Sequence, residues 1–256
     1  MRGVVVFAAV GCGAVAAAVI AVAGRREDDR RAEVSAAISR TLALPSARVT
    51  LDQSVEWGLP LQMSAQGVLT NKSRRLVLTM RTKGYPMMRE VFEGTGVDTT
   101  VSNARSTAPT RPWQIFAARK ANDAPYDAGA FVEISDDLPQ VLRIVRDSAS
   151  RARRIGRETL RGAATTRYRV RVVLGSYDAA FPHTQRDVVR AVVATLERDY
   201  GLGDYDVDVW VGSDNLVRRL VYTLTLAKAD IASIGMTRTR TSFAKLTSTF
   251  ELSKAA

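Results

Sequence analysis

Two residue types are almost missing from this chain. Cys12 is the only cysteine and His183 the only histidine. A single cysteine excludes an internal disulfide and any cysteine-based metal site. A single histidine excludes most imidazole-held metal centres and leaves few arrangements for a catalytic triad. His183 stands in Phe181-Pro182-His183-Thr184, ahead of a predicted helix, where a solvent-facing side chain is the plain reading. Aromatic residues make up 7% of the chain, so few large rings are on hand to fill a core. Glycine-rich phosphate loops, HExxH, GxSxG and a lysine in a nucleotide motif are all lacking. No internal repeat occurs, and no low-complexity linker follows residue 45. Neither an enzyme, a cofactor nor a resident metal is expected. Asp136-Asp137 lies at a helix start, where carboxylates cap. Asp204, Asp206 and Asp208 project to one side of a strand without the glycine-turned loop of a cation site; salt bridges to Arg218 and Arg219 on the next strand are expected instead.

Charge is also absent from residues 3–24, a run of 22 bounded by Arg2 and Arg25-Arg26. A helix of about 20 apolar residues crosses the hydrocarbon core of a bilayer. Residues 1–24 therefore read as a signal peptide or a membrane anchor. Ala21-Val22-Ala23 has the small-x-small pattern of a cleavage site, and Arg2 supplies a basic n-region. The run is longer than a usual signal core, which suits an uncleaved anchor. Cys12 in Ala9-Val10-Gly11-Cys12 is a weak candidate for lipidation, with a small apolar helix residue as the alternative. Arg25, Arg26, Arg30 and Arg31 after the run would by themselves favour a cytoplasmic side.

About 230 residues remain beyond this run, with 46% apolar and 25% charged residues in the whole chain, an ordinary globular composition. The net charge is +11 and unevenly spread: Arg143 to Arg171 holds ten arginines against Asp147 and Glu158. A concentrated basic surface attracts polyanions. Tyr168 is the one aromatic among these arginines, so stacking on nucleic acid is not expected. An anionic membrane surface is the expected partner of Arg143, Arg146, Arg151, Arg154, Arg167, Arg169 and Arg171. The alternative is a solvated face.

Periodicity gives the elements. Val34, Ala37, Ile38, Thr41 and Leu42 share a helical stripe over 27–42, ended by Pro45. The period then changes to two in Arg48–Trp57, Leu61–Thr70 and Leu76–Arg81, three alternating strands joined by short turns: an antiparallel meander with one wet face. Short strands are expected at Met87–Phe92, Val97–Val101 and Trp113–Phe116. A helix is expected over Leu138–Ala152, with Asp137 ahead of it and Pro139 in its first turn. Arg154–Leu160 and Ala164–Leu174 form a hairpin turning at Arg161-Gly162, with Arg167, Arg169 and Arg171 opposite the apolar face. A further helix spans Thr184–Tyr200, with Gly201 as C-cap. Strands at Asp204–Val211, Leu216–Ala227 and near Thr239–Leu252 close the series. This order argues for one α+β domain over 25–256, built on a long antiparallel sheet that twists and curls under helices.

The segment Gly156-Arg157-Glu158-Thr159-Leu160-Arg161-Gly162-Ala163-Ala164-Thr165-Thr166-Arg167-Tyr168-Arg169-Val170 resembles a hairpin of actinobacterial envelope lipoproteins of the LppX/LprG type. Val207–Val211 followed by Arg218-Arg219-Leu220 resembles their next strand pair, and Arg111-Pro112-Trp113 their short Trp-bearing strand. The family is similar in fold to the periplasmic carriers LolA and LolB. The resemblance implies a strongly curved, half-open antiparallel sheet (a half-barrel) with helices across its concave side and a cavity for acyl chains. It also implies an extracytoplasmic place, membrane-associated or secreted. The expected function is a non-enzymatic module that binds a lipid or acylated molecule and serves lipid or lipoprotein transfer; the alternative is an envelope sensor or scaffold with a filled core and a protein partner. Expected wall residues are Val49, Leu51, Leu61, Met63, Leu76, Leu78, Met80, Tyr168, Val170, Leu220, Tyr222 and Leu224. The competing reading is that they simply pack beneath the helices.

Overall fold

The computed structural model describes residues 30–57, 59–70, 75–82, 88–93, 96–102, 113–116, 137–181, 183–227 and 244–254. The apolar run 3–24, Cys12, Arg111-Pro112 and Asp136 lie outside them.

Eleven strands form one antiparallel sheet. They are β1 (Ser46–Trp57), β2 (Leu59–Thr70), β3 (Arg75–Thr82), β4 (Met88–Glu93), β5 (Gly96–Ser102), β6 (Trp113–Phe116), β7 (Ala152–Leu160), β8 (Ala163–Val172), β9 (Tyr205–Gly212), β10 (Val217–Leu226) and β11 (Ala244–Lys254). The spatial order is β6-β5-β4-β3-β2-β1-β11-β10-β9-β8-β7. Two meanders thus meet at the β1–β11 pair, where Leu51 stands opposite Phe250. The first runs outward from the centre to β6. The second starts at the far edge with β7 and returns inward. The sheet is not closed, so β6 and β7 are its two edges.

The alternation read from the sequence sets the two faces. Ala47, Val49 and Leu51 of β1 are buried, as are Leu76 and Leu78 of β3, Tyr168, Val170 and Val172 of β8, and Leu220, Tyr222 and Leu224 of β10. Arg48, Asp52 and Glu56 between them on β1 are exposed. Gly67 permits the tight curl between β2 and β3: a Cβ there would stand 1.7 Å from the Val77 carbonyl oxygen. Only a glycine tolerates so close an approach of the next strand.

Helices cover the buried face. Helix α1 occupies residues 30–43. Its Val34, Ala37 and Ile38 join the same hydrophobic cluster as the sheet. Thr41 locks it in place, donating to the Ala37 carbonyl at 2.8 Å and accepting from the Val217 N–H of β10 at 2.9 Å. Helix α2 (Leu138–Asp147) buries Leu138, Val141, Leu142, Ile144 and Val145. The expected Leu138–Ala152 helix is corrected here: it ends at Asp147, a 3-10 turn covers Ala149–Arg151, and Ala152 already begins β7. Ala149 and Ala152 continue the apolar stripe, which is why periodicity alone overruns. A 3-10 stretch, Leu174–Ala180, follows β8, and α3 (Arg186–Tyr200) follows a 3-10 turn at His183–Gln185. His183 is exposed, as expected.

The β7–β8 hairpin turns where the sequence placed it. Arg161 (φ 50°) and Gly162 (φ 81°) both take positive φ, the requirement of the two-residue turn whose twist matches the flanking strands.

Candidate functional site

The concave face divides into an apolar field and a polar row. Val49, Leu51, Leu76, Leu78, Tyr168, Val170, Leu220, Tyr222 and Leu224 are buried in one cluster, and Met63 packs against it half-buried. Ten of the twelve expected wall residues are thereby placed on one surface under the helices. Leu61 and Met80 lie on β2 and β3, and their side chains fall outside what the structure describes.

The polar row was not foreseen. Gln53 lies in phase with Val49 and Leu51, yet is only 1% exposed. Its Nε2 donates to Ser248 Oγ at 3.1 Å. Ser248 is fully buried and stands opposite Gln53 on one side and Tyr222 on the other. The Tyr222 ring packs against Tyr205 with centroids 6.1 Å apart. The Tyr205 and Tyr177 hydroxyls interact, and burial pushes both well up. Asp137 acts on Tyr177 electrostatically. A line of amide, hydroxyl and phenol groups therefore crosses an otherwise apolar face from β1 to the start of α2. The signal in the sequence was the phase: Gln53 and Ser248 occupy inward positions of alternating strands.

Asp137 caps α2, its carboxylate accepting from the Gln140 N–H at 3.3 Å. Burial pushes its carboxyl up to about 6, against the lowering effects of that N–H and of Arg143. The expectation of a cap at Asp137 is met.

On the opposite, convex face lies a charged lattice. Asp208 accepts from Arg167 Nη2 at 2.6 Å and from Arg169 Nε at 2.7 Å. Arg171 approaches Asp206 at 3.4 Å and Asp204 at 4.0 Å. Arg218 pairs with Asp214 at 2.6 Å, and Glu251 holds both Arg161 and Arg219. The Trp210 indole N–H donates to Glu158 at 2.8 Å, and the Arg167 guanidinium lies over the same ring at 4.8 Å. Burial would raise the Asp208 carboxyl, but the hydrogen bonds from Arg169 and Arg167 outweigh it and hold it below the carboxylate range.

One expectation changes here. The β9 aspartates do form salt bridges, but with β8 arginines and not with Arg218 and Arg219 on β10, because β9 lies between β8 and β10 and register sets Arg169 opposite Asp208 and Arg171 opposite Asp206. Arg167 and Arg169 thus pair with a part-buried carboxylate, and Arg171 pairs at the surface. Of the other arginines expected at an anionic surface, Arg143 donates to Gln140 Oε1 at 3.2 Å and Arg146 to Asp147 at 3.0 Å. Arg151 and Arg154 are exposed.

Among the described residues, no group of three or more His, Cys, Asp or Glu side chains is placed to hold a metal ion. Among them, too, no helix is long and apolar enough to cross a membrane.

No protein-family model matches the chain, and no curated protein matches it. Solved structures do. Lipoprotein LppX of Mycobacterium tuberculosis is similar at 13% identity, over 89% of this chain and 94% of its own, with a TM-score of 0.48. LprF from Mycobacterium bovis is similar at 11% identity, over 90% and 94%, with a TM-score of 0.43. A LolA superfamily protein from Nitrosomonas europaea is similar at 7% identity, over 89% and 94%, with a TM-score of 0.30.

Proposed function

We propose that this chain is a non-enzymatic binding module on the extracytoplasmic side of a membrane, holding a lipid or acylated molecule between its sheet and helices. The polar row carries the reading. Burying an amide and several hydroxyls in an apolar face costs free energy unless each finds a partner. A filled core gains nothing from placing them in one line. An amphiphile uses both features: its chains take the apolar field of Val49, Leu51, Met63, Leu76, Leu78, Tyr168, Val170, Leu220 and Leu224, with Leu61 and Met80 on the same strands. Its polar part takes hydrogen bonds from Gln53, Ser248 and the tyrosines. Binding sites of this composition, mostly apolar with a few convergent polar groups, are the usual form for small amphiphilic ligands.

The apolar run 3–24 supports delivery to or through a membrane, as a cleaved signal, a retained anchor or a segment lipidated at Cys12. Residues 25–256 act as one domain in this reading. Transfer of the bound molecule between membranes is the role that follows from a half-open sheet, since an edge left unclosed gives the ligand a way out.

Native mass spectrometry of the full chain purified from a membrane-containing host, with organic extraction of what co-purifies, tests the proposal. A stoichiometric lipid or acylated molecule is expected. A ligand-free mass together with no uptake of added lipid would overturn it and point to an envelope scaffold with a filled core.

A further inference from the structure

The β7 edge carries a row of exposed arginines. Arg153, Arg154 and Arg157 are exposed along it, and Arg151 is exposed one residue ahead of it. None of the four has an ion pair among the described residues, whereas Arg167, Arg169 and Arg171 on the adjacent strand all do. The one acid on β7, Glu158, is turned to the convex face, where it holds Trp210 and Arg167. Ile155 sits among these arginines at 42% exposure, at a register shift between Arg154 and Gly156. It is one of two large apolar side chains so exposed among the described residues.

A second relation places this edge in the molecule. Arg154 stands opposite Tyr168, and the Tyr168 hydroxyl, pushed up by burial and then by Glu33, feels Arg154 as well. Glu33 belongs to α1, less than one turn after Arg30. Glu33 of α1 therefore lies near Tyr168 of β8, the strand paired with β7. The apolar run ends at residue 24, and Arg25, Arg26, Arg30 and Arg31 follow it.

We propose that the β7 edge, with Arg151, Arg153, Arg154 and Arg157 around Ile155, is the face this domain lays against an anionic lipid bilayer. Each basic side chain near such a surface contributes attraction that fades within a Debye length. Ile155 enters the headgroup region between them. Like charges along the strand also keep two copies from pairing edge to edge. The inference stands whether or not the interior holds a ligand, because none of the four arginines, nor Ile155, belongs to the concave site.

The test uses the full chain with Cys12→Ala and a single reporter cysteine at exposed Thr159 on β7, reconstituted in vesicles carrying a headgroup quencher. A second reporter at exposed Gln62 on β2 serves as the distant reference. In phosphatidylcholine vesicles with about 30% phosphatidylglycerol, quenching at Thr159 is expected to exceed that in pure phosphatidylcholine several-fold, and to collapse at ~0.5 M salt. Changing Arg151, Arg153, Arg154 and Arg157 together to Gln is expected to abolish the difference while Gln62 is unaffected. Charge-independent quenching at Thr159, or stronger quenching at Gln62, would overturn the proposal. So would binding of polyglutamate to this edge with no approach to the anionic vesicle. The salt titration needs no arginine variant and decides the matter even if the fourfold variant folds poorly.

Discussion

Arg169 and Asp208 face each other across β8 and β9, and the guanidinium grips the carboxylate with two donors, Nε at 2.7 Å and Nη2 at 3.0 Å. Arg167 adds a third donor to the same carboxylate. Breaking such a part-buried set by removing one member leaves the others uncompensated, which costs more than the net worth of the pair. Asp208→Asn is expected to destabilise the protein by about 1–3 kcal/mol in chemical denaturation. A loss below about 0.5 kcal/mol would make the lattice ordinary surface charge. The Asp208 carboxyl is held below its usual range, so its contribution is present above the unfolded-state value near 3.8 and is lost as pH falls through the lower folded value. The variant should therefore lose its deficit relative to the parent in strong acid.

Gly67 provides a test of the sheet's curl. A methyl group at this position would meet the Val77 carbonyl, backbone that cannot rotate away. Gly67→Ala is expected to cost about 2 kcal/mol or more, by forcing β2 and β3 apart. An unchanged denaturation midpoint would show that the two strands separate without penalty.

Much of this architecture is legible in the residues, and the failures have physical causes. The meander is readable because Val49 and Leu51 alternate with Arg48, Thr50 and Asp52, and a period of two has one interpretation. The hairpin turn was readable because Arg161-Gly162 tolerates positive φ at its second position. The end of α2 was misjudged because Ala149 and Ala152 suit a helix stripe as well as a strand start. The partners of Asp206 and Asp208 were misassigned because every inner strand has two neighbours, and sequence proximity favours the hairpin partner over the strand on the other side. Gln53 and Ser248 are missed because apolar residues alone mark the inward phase in the sequence, although both share that phase. Which arginines remain uncompensated is a question of register, and so only the folded chain separates Arg154 from Arg169.

Asp137 supplies a pH dependence of opposite sign to that of Asp208. Its carboxyl lies at about 6 in the fold against 3.8 when unfolded, chiefly because burial disfavours the charge. A raised value means that the folded state binds the proton more tightly. The stabilisation is thus complete below 3.8 and is lost as pH rises through about 6. Asn caps helices about as well as Asp and does not titrate. Asp137→Asn is expected to match the parent at acid pH and to gain on it by at most about 3 kcal/mol by neutral pH. Thermal melts across this range read the difference directly. Parallel curves for parent and variant would show that Asp137 is solvated in solution.

The polar row separates a ligand site from a core by a double substitution. Removing one member of a buried hydrogen bond strands the other, while replacing both with apolar groups of similar shape is close to neutral. Gln53→Leu together with Ser248→Ala removes the 3.1 Å bond without leaving either half behind. In a packed core this pair would only fix β1 against β11, and its joint replacement would leave lipid uptake unchanged. In a binding site the same groups face the polar part of a ligand, whose hydrogen bonds vanish with them. The double variant is expected to keep its stability within about 1 kcal/mol and to take up lipid about fivefold to tenfold more weakly. Unchanged uptake would return Gln53 and Ser248 to the core and remove the observation on which the lipid-binding reading rests.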